Sequence, residues 1–250
     1  MSNDLQVTII GGGNGGFAAA ADLSMRGFKV VLYDLPQFKE NLEEISKLKG
    51  IELETLPSSG LEGGFAKLHK ITTDIEEALE GSDVIFVIVP SFGLQNIAQI
   101  CAPFLKDGQI IVLAPGNFGG SLFFHKKLRK FGCKKDIKIA EVECMMYACR
   151  KRDATSVWIR GYKHNLGVAV FPSIYTEDVF EKLKAIYPTF IKRDHVLETS
   201  LSNPNAVVHV SLMLFNITNV ENKRDMLIYH EGFTPSVGNI ASQLDRERME

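Results

Sequence analysis

Apolar residues fall along this chain in two kinds of pattern. Up to residue 143, short aliphatic and β-branched runs recur: "LQVTII" (5–10), "FKVVLYD" (28–34), "HKITTD" (69–74), "DVIFVIVP" (83–90), "QIIVLAPG" (109–116) and "DIKIAEVE" (136–143). Stretches with helical spacing separate them. One is the small-residue run "NGGFAAAADLSMRG", ending at Gly27; another is "IEEALEG", for which Asp74 offers a cap. Strands that are apolar almost throughout, with helices between them, predict a parallel sheet covered on both faces. The runs "SVWIRGYKH" and "NLGVAVF" (156–171) then read as an antiparallel hairpin, followed by a helix near Thr176–Tyr187. From Leu201 the spacing is helical, with one break at "YHEGFTPSV" (229–237), where "GFTPSV" caps the helix running into "SQLDRERME". These patterns predict two domains, 1–195 and 196–250.

Composition narrows the partners. The 250 residues are 45% hydrophobic and 23% charged, with a net charge of −2. A near-neutral balance argues against nucleic acid or an anionic membrane as a partner. The longest apolar run, "VIFVIVP", is far too short to span a bilayer and reads as a buried strand. The start "MSNDLQVTII" has neither a basic flank nor a cleavable small-residue site. Cys101, Cys133, Cys144 and Cys149 form no CxxC pair, and neither they nor the histidines have metal-ligand spacing. The expectation is a cytoplasmic protein without a metal.

The first turn holds the most specific signal. In "GGGNGGF", Gly11, Gly13 and Gly16 form GxGxxG between the first strand and the first helix, and Asp34 ends the second strand. Gly11 permits a tight turn, Gly13 lets backbone N–H groups approach a pyrophosphate, and Gly16 brings the helix against the sheet. Asn14 and Gly15 complete the turn. Asp34 is placed to accept hydrogen bonds from the adenosine ribose and to repel a 2′-phosphate, so NAD is expected over NADP. The expected fold is therefore α/β: a Rossmann-type doubly wound parallel sheet followed by a partial all-helical C-terminal domain.

Other candidates remain open between function and structure. Pro90 and Ser91 in "VIVPSFG", and Pro115 in "LAPGNFGG", lie at strand ends where ligands of open sheets bind, although turn chemistry alone explains them too. In "NPNAVVHVSLMLFN", Asn203-Pro204 starts a helix whose Asn205, His209 and Asn216 share one face, amid residues apolar on every side. Such a helix is expected to be buried. His209 is then either a core histidine satisfied by a carbonyl or a general acid–base group facing a cleft. Tyr147 and Arg150 in "MMYACR" follow the last parallel strand and either line that cleft, with Arg150 binding a substrate carboxylate, or belong to solvated surface.

Taken in order, "GGGNGG", "EGSDVIFVIVPSF", "APGNFGG", Glu141 with "YACR", "NPNAVVH", "YHEGFTPSV" and "LDRER" resemble the opine (octopine/nopaline) dehydrogenase family over nearly the whole chain. The resemblance implies a dinucleotide-binding domain, a helical domain and an active site between them. It implies reductive condensation of an amino acid with a 2-keto acid, using NAD(P)H. The histidine of the family's NPxxxxH segment is its acid–base residue, and Asn203, Pro204 and His209 match that segment. Asn205 or Asn216 is expected to help orient polar substrate groups. The chain departs from the family in having Met146 where proline is expected, and in ending at Glu250 inside an apparent helix. The expectation is thus a truncated or shortened member, without the acidic partner of His209. A reductase of ketopantoate-reductase or 2-hydroxy-acid type, or a non-catalytic NAD-binding protein, is the alternative. The apolar C-terminal helices need another surface to cover them, which suggests a homodimer.

Overall fold

The computed structural model describes residues 5–250. In chain order its elements are β1 (Gln6–Ile10), α1 (Asn14–Met25), β2 (Lys29–Tyr33), α2 (Glu40–Leu48), β3 (Gly50–Thr55), β4 (Gly64–Lys67), β5 (Lys70–Thr72) and α3 (Ile75–Leu79). Then come β6 (Val84–Val87), α4 (Leu94–Cys101), β7 (Ile110–Leu113), α5 (Gly120–Lys130), β8 (Lys138–Val142), β9 (Tyr147–Lys151), β10 (Ser156–Tyr162) and β11 (Leu166–Phe171). The remainder is α6 (Thr176–Ile186), β12 (Phe190–Lys192), α7 (Val196–Ser202), α8 (Asn205–Phe215), α9 (Ile217–Glu221) and α10 (Pro235–Met249). The chain divides into two compact units, up to Ser200 and from Leu201, against the division after residue 195 read from the sequence.

The first unit is built on an eight-stranded sheet of order β12-β11-β8-β7-β6-β1-β2-β5. From β5 to β8 every neighbouring pair is parallel. The order reverses at β1, so a crevice opens beyond the carboxyl ends of β1 and β6, the switch point of a doubly wound sheet. Alternation along each strand serves both faces. Val7, Ile9, Val30 and Leu32 pack into one core with α1, while Ile10, Val31, Tyr33 and Ile85 pack into a second with residues of α3, α4 and α5. Asp74 caps α3 as expected, accepting from Glu76 N at 2.8 Å and Glu77 N at 3.1 Å.

The hairpin expected over 156–171 does not form. β10 pairs with β3 and β9 in a separate four-stranded sheet of order β4-β3-β10-β9, whereas β11 pairs antiparallel with β8 in the main sheet. The loop between them carries the chain from one sheet to the other, with Asn165 in the left-handed region at φ 57°. The second sheet packs over α1 and joins its core.

In the second unit, α8 and α10 pack together. Asn203 Oδ1 accepts from Asn205 N at 3.0 Å, which opens α8, and Thr234 caps α10 by accepting from Val237 N at 3.4 Å. Both starts match the sequence reading. The expected burial of α8 on all sides does not hold, since Val210, Met213, Leu214 and Phe215 are exposed, Leu214 by 60%. Only the face bearing Val207, Ser211 and Leu212 is covered within the described residues of this unit. Among the described residues, no helix is long and apolar enough to cross a membrane.

Candidate active site

The glycine turn is fixed by close contacts. Gly11 has φ +118°, and a Cβ built there would lie 2.4 Å from Ile88 O. A Cβ at Gly16 would lie 1.7 Å from Gly11 O, and one at Gly15 would lie 2.4 Å from Met145 Cε. Gly13 differs, because a Cβ there would meet nothing within 4 Å. Backbone contacts therefore demand glycine at 11 and 16, the Met145 side chain crowds 15, and the bare backbone at 13 faces open space at the start of α1. That combination leaves the first amides of α1 accessible to an anion.

Asp34 closes the other side. It is 7% exposed, and its carboxylate accepts from Leu35 N at 2.9 Å and from Asn41 Nδ2 at 3.0 Å. Gly12, which the motif reading passed over, belongs to the same arrangement: a Cβ there would lie 2.7 Å from Asp34 Oδ2. The signal for it was the third consecutive glycine. Together these residues border a cavity of about 490 Å³, lined also by Leu35, Phe38, Pro90 and Phe92. Its size and mostly apolar walls with one carboxylate suit the adenosine half of a dinucleotide.

The remaining expected residues are distributed around this crevice and behind it. Asn14 uses its side chain internally, accepting from Lys151 N at 2.8 Å. Pro90 and Ser91 lie just after β6, and Asn117 donates to Ser91 Oγ at 2.8 Å, joining the loop after β7 to the loop after β6. Pro115 follows Ala114 through a cis peptide. Beneath that loop sits Glu141, fully buried, accepting from Ser121 N (2.9 Å), Thr199 Oγ1 (2.6 Å) and Ser200 Oγ (2.9 Å). A Cβ on Gly116 would lie 2.4 Å from that of Glu141, so this carboxylate braces the loop.

Tyr147 stands in the core, not on a cleft wall. It is 3% exposed, and its hydroxyl lies 2.7 Å from Asp22 Oδ2 and 2.9 Å from the Tyr187 hydroxyl. Burial pushes the Tyr147 phenol well above its ordinary value, with Tyr187 and Asp22 adding to the rise. Burial likewise raises Asp22, against the pull of Arg26, whose guanidinium lies 3.2 Å away. "MMYACR" follows the last parallel strand, β8, as read from the sequence, and its last four residues form the start of β9, which alternates Tyr147 inward with exposed Ala148 and leaves Arg150 exposed opposite Trp158. Among the described residues, no group of three His, Cys, Asp or Glu side chains is placed to hold a metal.

In the second unit, His209 is exposed on α8, and its Nε2 lies 2.9 Å from the hydroxyl of Tyr229. The core-histidine alternative is thereby set aside. Tyr229 was not singled out from the sequence; it lies in the segment that interrupts the helical pattern, which was the available signal. Asn216, expected on the same face, is used structurally: its Nδ2 donates to Leu212 O and to Gly232 O, both at 2.9 Å.

Comparison with known proteins places both units. Residues 192–250 match the model of the NAD/NADP octopine/nopaline dehydrogenase alpha-helical domain, and residues 6–118 match that of the NAD-dependent glycerol-3-phosphate dehydrogenase N-terminus. The opine dehydrogenase of Arthrobacter sp. (strain 1C) is 34% identical over 241 residues, which is 96% of this chain and 65% of that protein. Octopine dehydrogenase solved with NADH and L-arginine superposes with a TM-score of 0.74 at 21% identity, covering 98% of this chain and 62% of its own. Yersinopine dehydrogenase with NADP⁺ bound gives a TM-score of 0.80 at 17% identity, covering 95% and 61%. The chain thus spans under two-thirds of the length of each of these relatives.

Proposed function

We propose that this chain, 34% identical to an opine dehydrogenase across 96% of its length, is an NAD(P)H-dependent oxidoreductase acting on a CH–NH or CH–OH group. Its proposed reaction is the reductive condensation of an amino acid with a 2-keto acid. The observation that carries the reading is the crevice between Gly11–Gly13 and Asp34, with its cavity of about 490 Å³. There the backbone at Gly13 and the first turn of α1 hold a pyrophosphate, and Asp34 accepts the ribose hydroxyls. Asn41, by donating to one oxygen of Asp34, fixes the carboxylate. A negative carboxylate at this place disfavours a 2′-phosphate, so NADH is the proposed coenzyme.

When bound, the reduced dinucleotide supplies a hydride to the imine or keto carbon. The chain's own residues do the rest. Gly11, Gly13, Gly15 and Gly16 hold the turn, while Pro90, Ser91 and Pro115 border the coenzyme. His209 gives or takes the proton on the adjacent heteroatom, Asn205 orients polar substrate groups, and the exposed guanidinium of Arg150 is available to a carboxylate. Tyr147 is left out of this assignment because its hydroxyl serves the buried cluster. The four cysteines, three buried and one half-buried, form no disulfide among the described residues, which fits a reducing, cytoplasmic setting.

The test is titration of the chain with NADH, followed by amine and keto-acid pairs monitored by NADH absorbance. Binding is expected, weakened about tenfold by Asp34→Ala, equivalent to about 1.4 kcal/mol. Consumption of NADH is expected only when amine and keto acid are both present. Turnover with a keto acid alone would instead make the protein a 2-hydroxy-acid reductase, and absence of NADH binding would end the reading.

A further inference from the structure

Charge in the coenzyme crevice does not balance on its lining alone. Asp34 contributes a negative charge, and none of the other residues that line the cavity carries a positive one. A dinucleotide adds a doubly charged pyrophosphate, of which the start of α1 offsets only about half an elementary charge. The cation beside this place comes from β9, the edge strand of the second sheet. That strand runs along the first turn of α1, where Lys151 N donates to Asn14 Oδ1 at 2.8 Å and Cys149 Sγ donates to Asn14 O at 3.4 Å. Alternation sends Arg150, between them, to the other face, opposite Trp158. The Lys151 ammonium lies 3.5 Å from the centre of the Phe17 ring, at the end of that first turn. Phe17 is fully buried and Lys151 is half-buried.

This is a costly place for a cation without an anion in contact. Among the described residues Nζ of Lys151 has no hydrogen-bond or ion-pair partner, and the face of the Phe17 ring is its contact. Burial pushes the ammonium below its ordinary range, against the longer-range pull of Asp34 and Asp153. The positive end of α1 adds repulsion. We infer that Lys151 is a coenzyme-binding residue, whose ammonium pairs with the pyrophosphate and supplies the positive charge that the crevice lining lacks. The inference rests on the coenzyme reading of the crevice between Gly11 and Asp34. The bond from Lys151 N to Asn14 ties the lysine backbone to the helix turn that offers its amides, so both groups keep a fixed spacing on the phosphates. Phe17 directs the side chain along α1 before the coenzyme arrives. A lysine acts there as a point charge and demands no single orientation of the phosphate. A 2′-phosphate is the less suited anion, because it would stand on the ribose edge that Asp34 occupies.

Titration of the whole chain with adenosine, ADP, NADH and NADPH tests this without relying on turnover. Lys151→Met keeps an apolar stem over Phe17 and removes the charge. Its affinity for NADH and for ADP is expected to fall about tenfold, the scale of one hydrogen bond between charged groups. Affinity for adenosine and the melting temperature are expected to stay as in the unmodified chain. Added salt weakens NADH binding to the unmodified chain more than to Lys151→Met, since the variant has one screened pair fewer. Lys151→Arg is expected to restore most of the affinity. Equal NADH affinity in Lys151→Met and the unmodified chain would overturn the inference. So would a loss that extends to adenosine, which would make the lysine structural, or a loss confined to NADPH, which would place the ammonium at a 2′-phosphate. Absence of NADH binding by the unmodified chain would end the coenzyme reading and this inference with it, an outcome distinct from the others.

Discussion

The glycine turn and the His209–Tyr229 pair are held in place by different kinds of force. At residues 11–16 the backbone is locked by repulsion: Gly11 and Gly16 stand where any side chain would strike the backbone of Ile88 or Gly11. At His209 the geometry depends on attraction, through one hydrogen bond between exposed side chains. Steric locks are strong and intolerant of substitution, whereas a single bond at the surface adjusts easily and contributes little to stability. Under the proposed function, binding a fixed phosphate group calls for the first arrangement, and moving a proton with a ring accessible to substrate calls for the second.

The largest effect that would test this contrast is Gly16→Ala. Its Cβ would sit 1.7 Å from Gly11 O, so either the turn or the start of α1 must shift. The expected cost is about 3 kcal/mol or more, the upper end of the range for overpacked sites, because the clash is with backbone. Urea denaturation would show the midpoint collapse, together with loss of NADH binding. A midpoint close to that of the unmodified protein would mean that the turn is softer than its contacts imply.

Next in size is His209→Ala, for which the effect falls on chemistry alone. With the ring exposed and one hydrogen bond at stake, stability is expected to change by no more than about 0.5 kcal/mol. Turnover is expected to fall by about 10²–10⁴, the usual contribution of a general acid–base group. Thermal unfolding and NADH oxidation measured on the same preparation separate the two. A large drop in melting temperature would show that the pair supports the fold of the second unit.

The same difference explains what the sequence disclosed. The steric lock is local: Gly11 through Gly16 follow one another, and Asp34 ends the next strand, so spacing alone located them. The parallel strands β1, β2, β6, β7 and β8 were also readable, because continuous apolar runs have few other uses; their order in the sheet was not. β3, β4 and β9 escaped notice because they mix apolar with polar residues, and β12 because it is only three residues long. Their pairing is also remote, as with β10 against β3 about a hundred residues earlier. The misread hairpin had the same origin, since "YKHN" looks like a reversal but carries the chain between sheets. Tyr229 was hidden because its partner lies 20 residues away on another element. The exposure of α8 could not be read, because an apolar helix states only that it prefers cover.

The smallest structural effect, and the sharpest discrimination, belongs to Gly13→Ala. Gly13 sits at φ −81° and ψ −170°, a conformation open to any residue, so alanine introduces no backbone strain there. With nothing within 4 Å of the added carbon, the folded protein has no contact to lose or clash to relieve. Its stability should therefore stay within about 0.5 kcal/mol of the starting value, the range of neutral surface changes. The methyl group nevertheless occupies the space through which a pyrophosphate reaches the amides of α1. NADH affinity is expected to fall at least about tenfold, or about 1.4 kcal/mol, while AMP, which lacks the pyrophosphate bridge, loses less. Unchanged NADH affinity in a normally folded Gly13→Ala protein would show that the phosphates do not approach this amide. The open space before Gly13 would then need a different explanation, although the locks at Gly11 and Gly16 would stand.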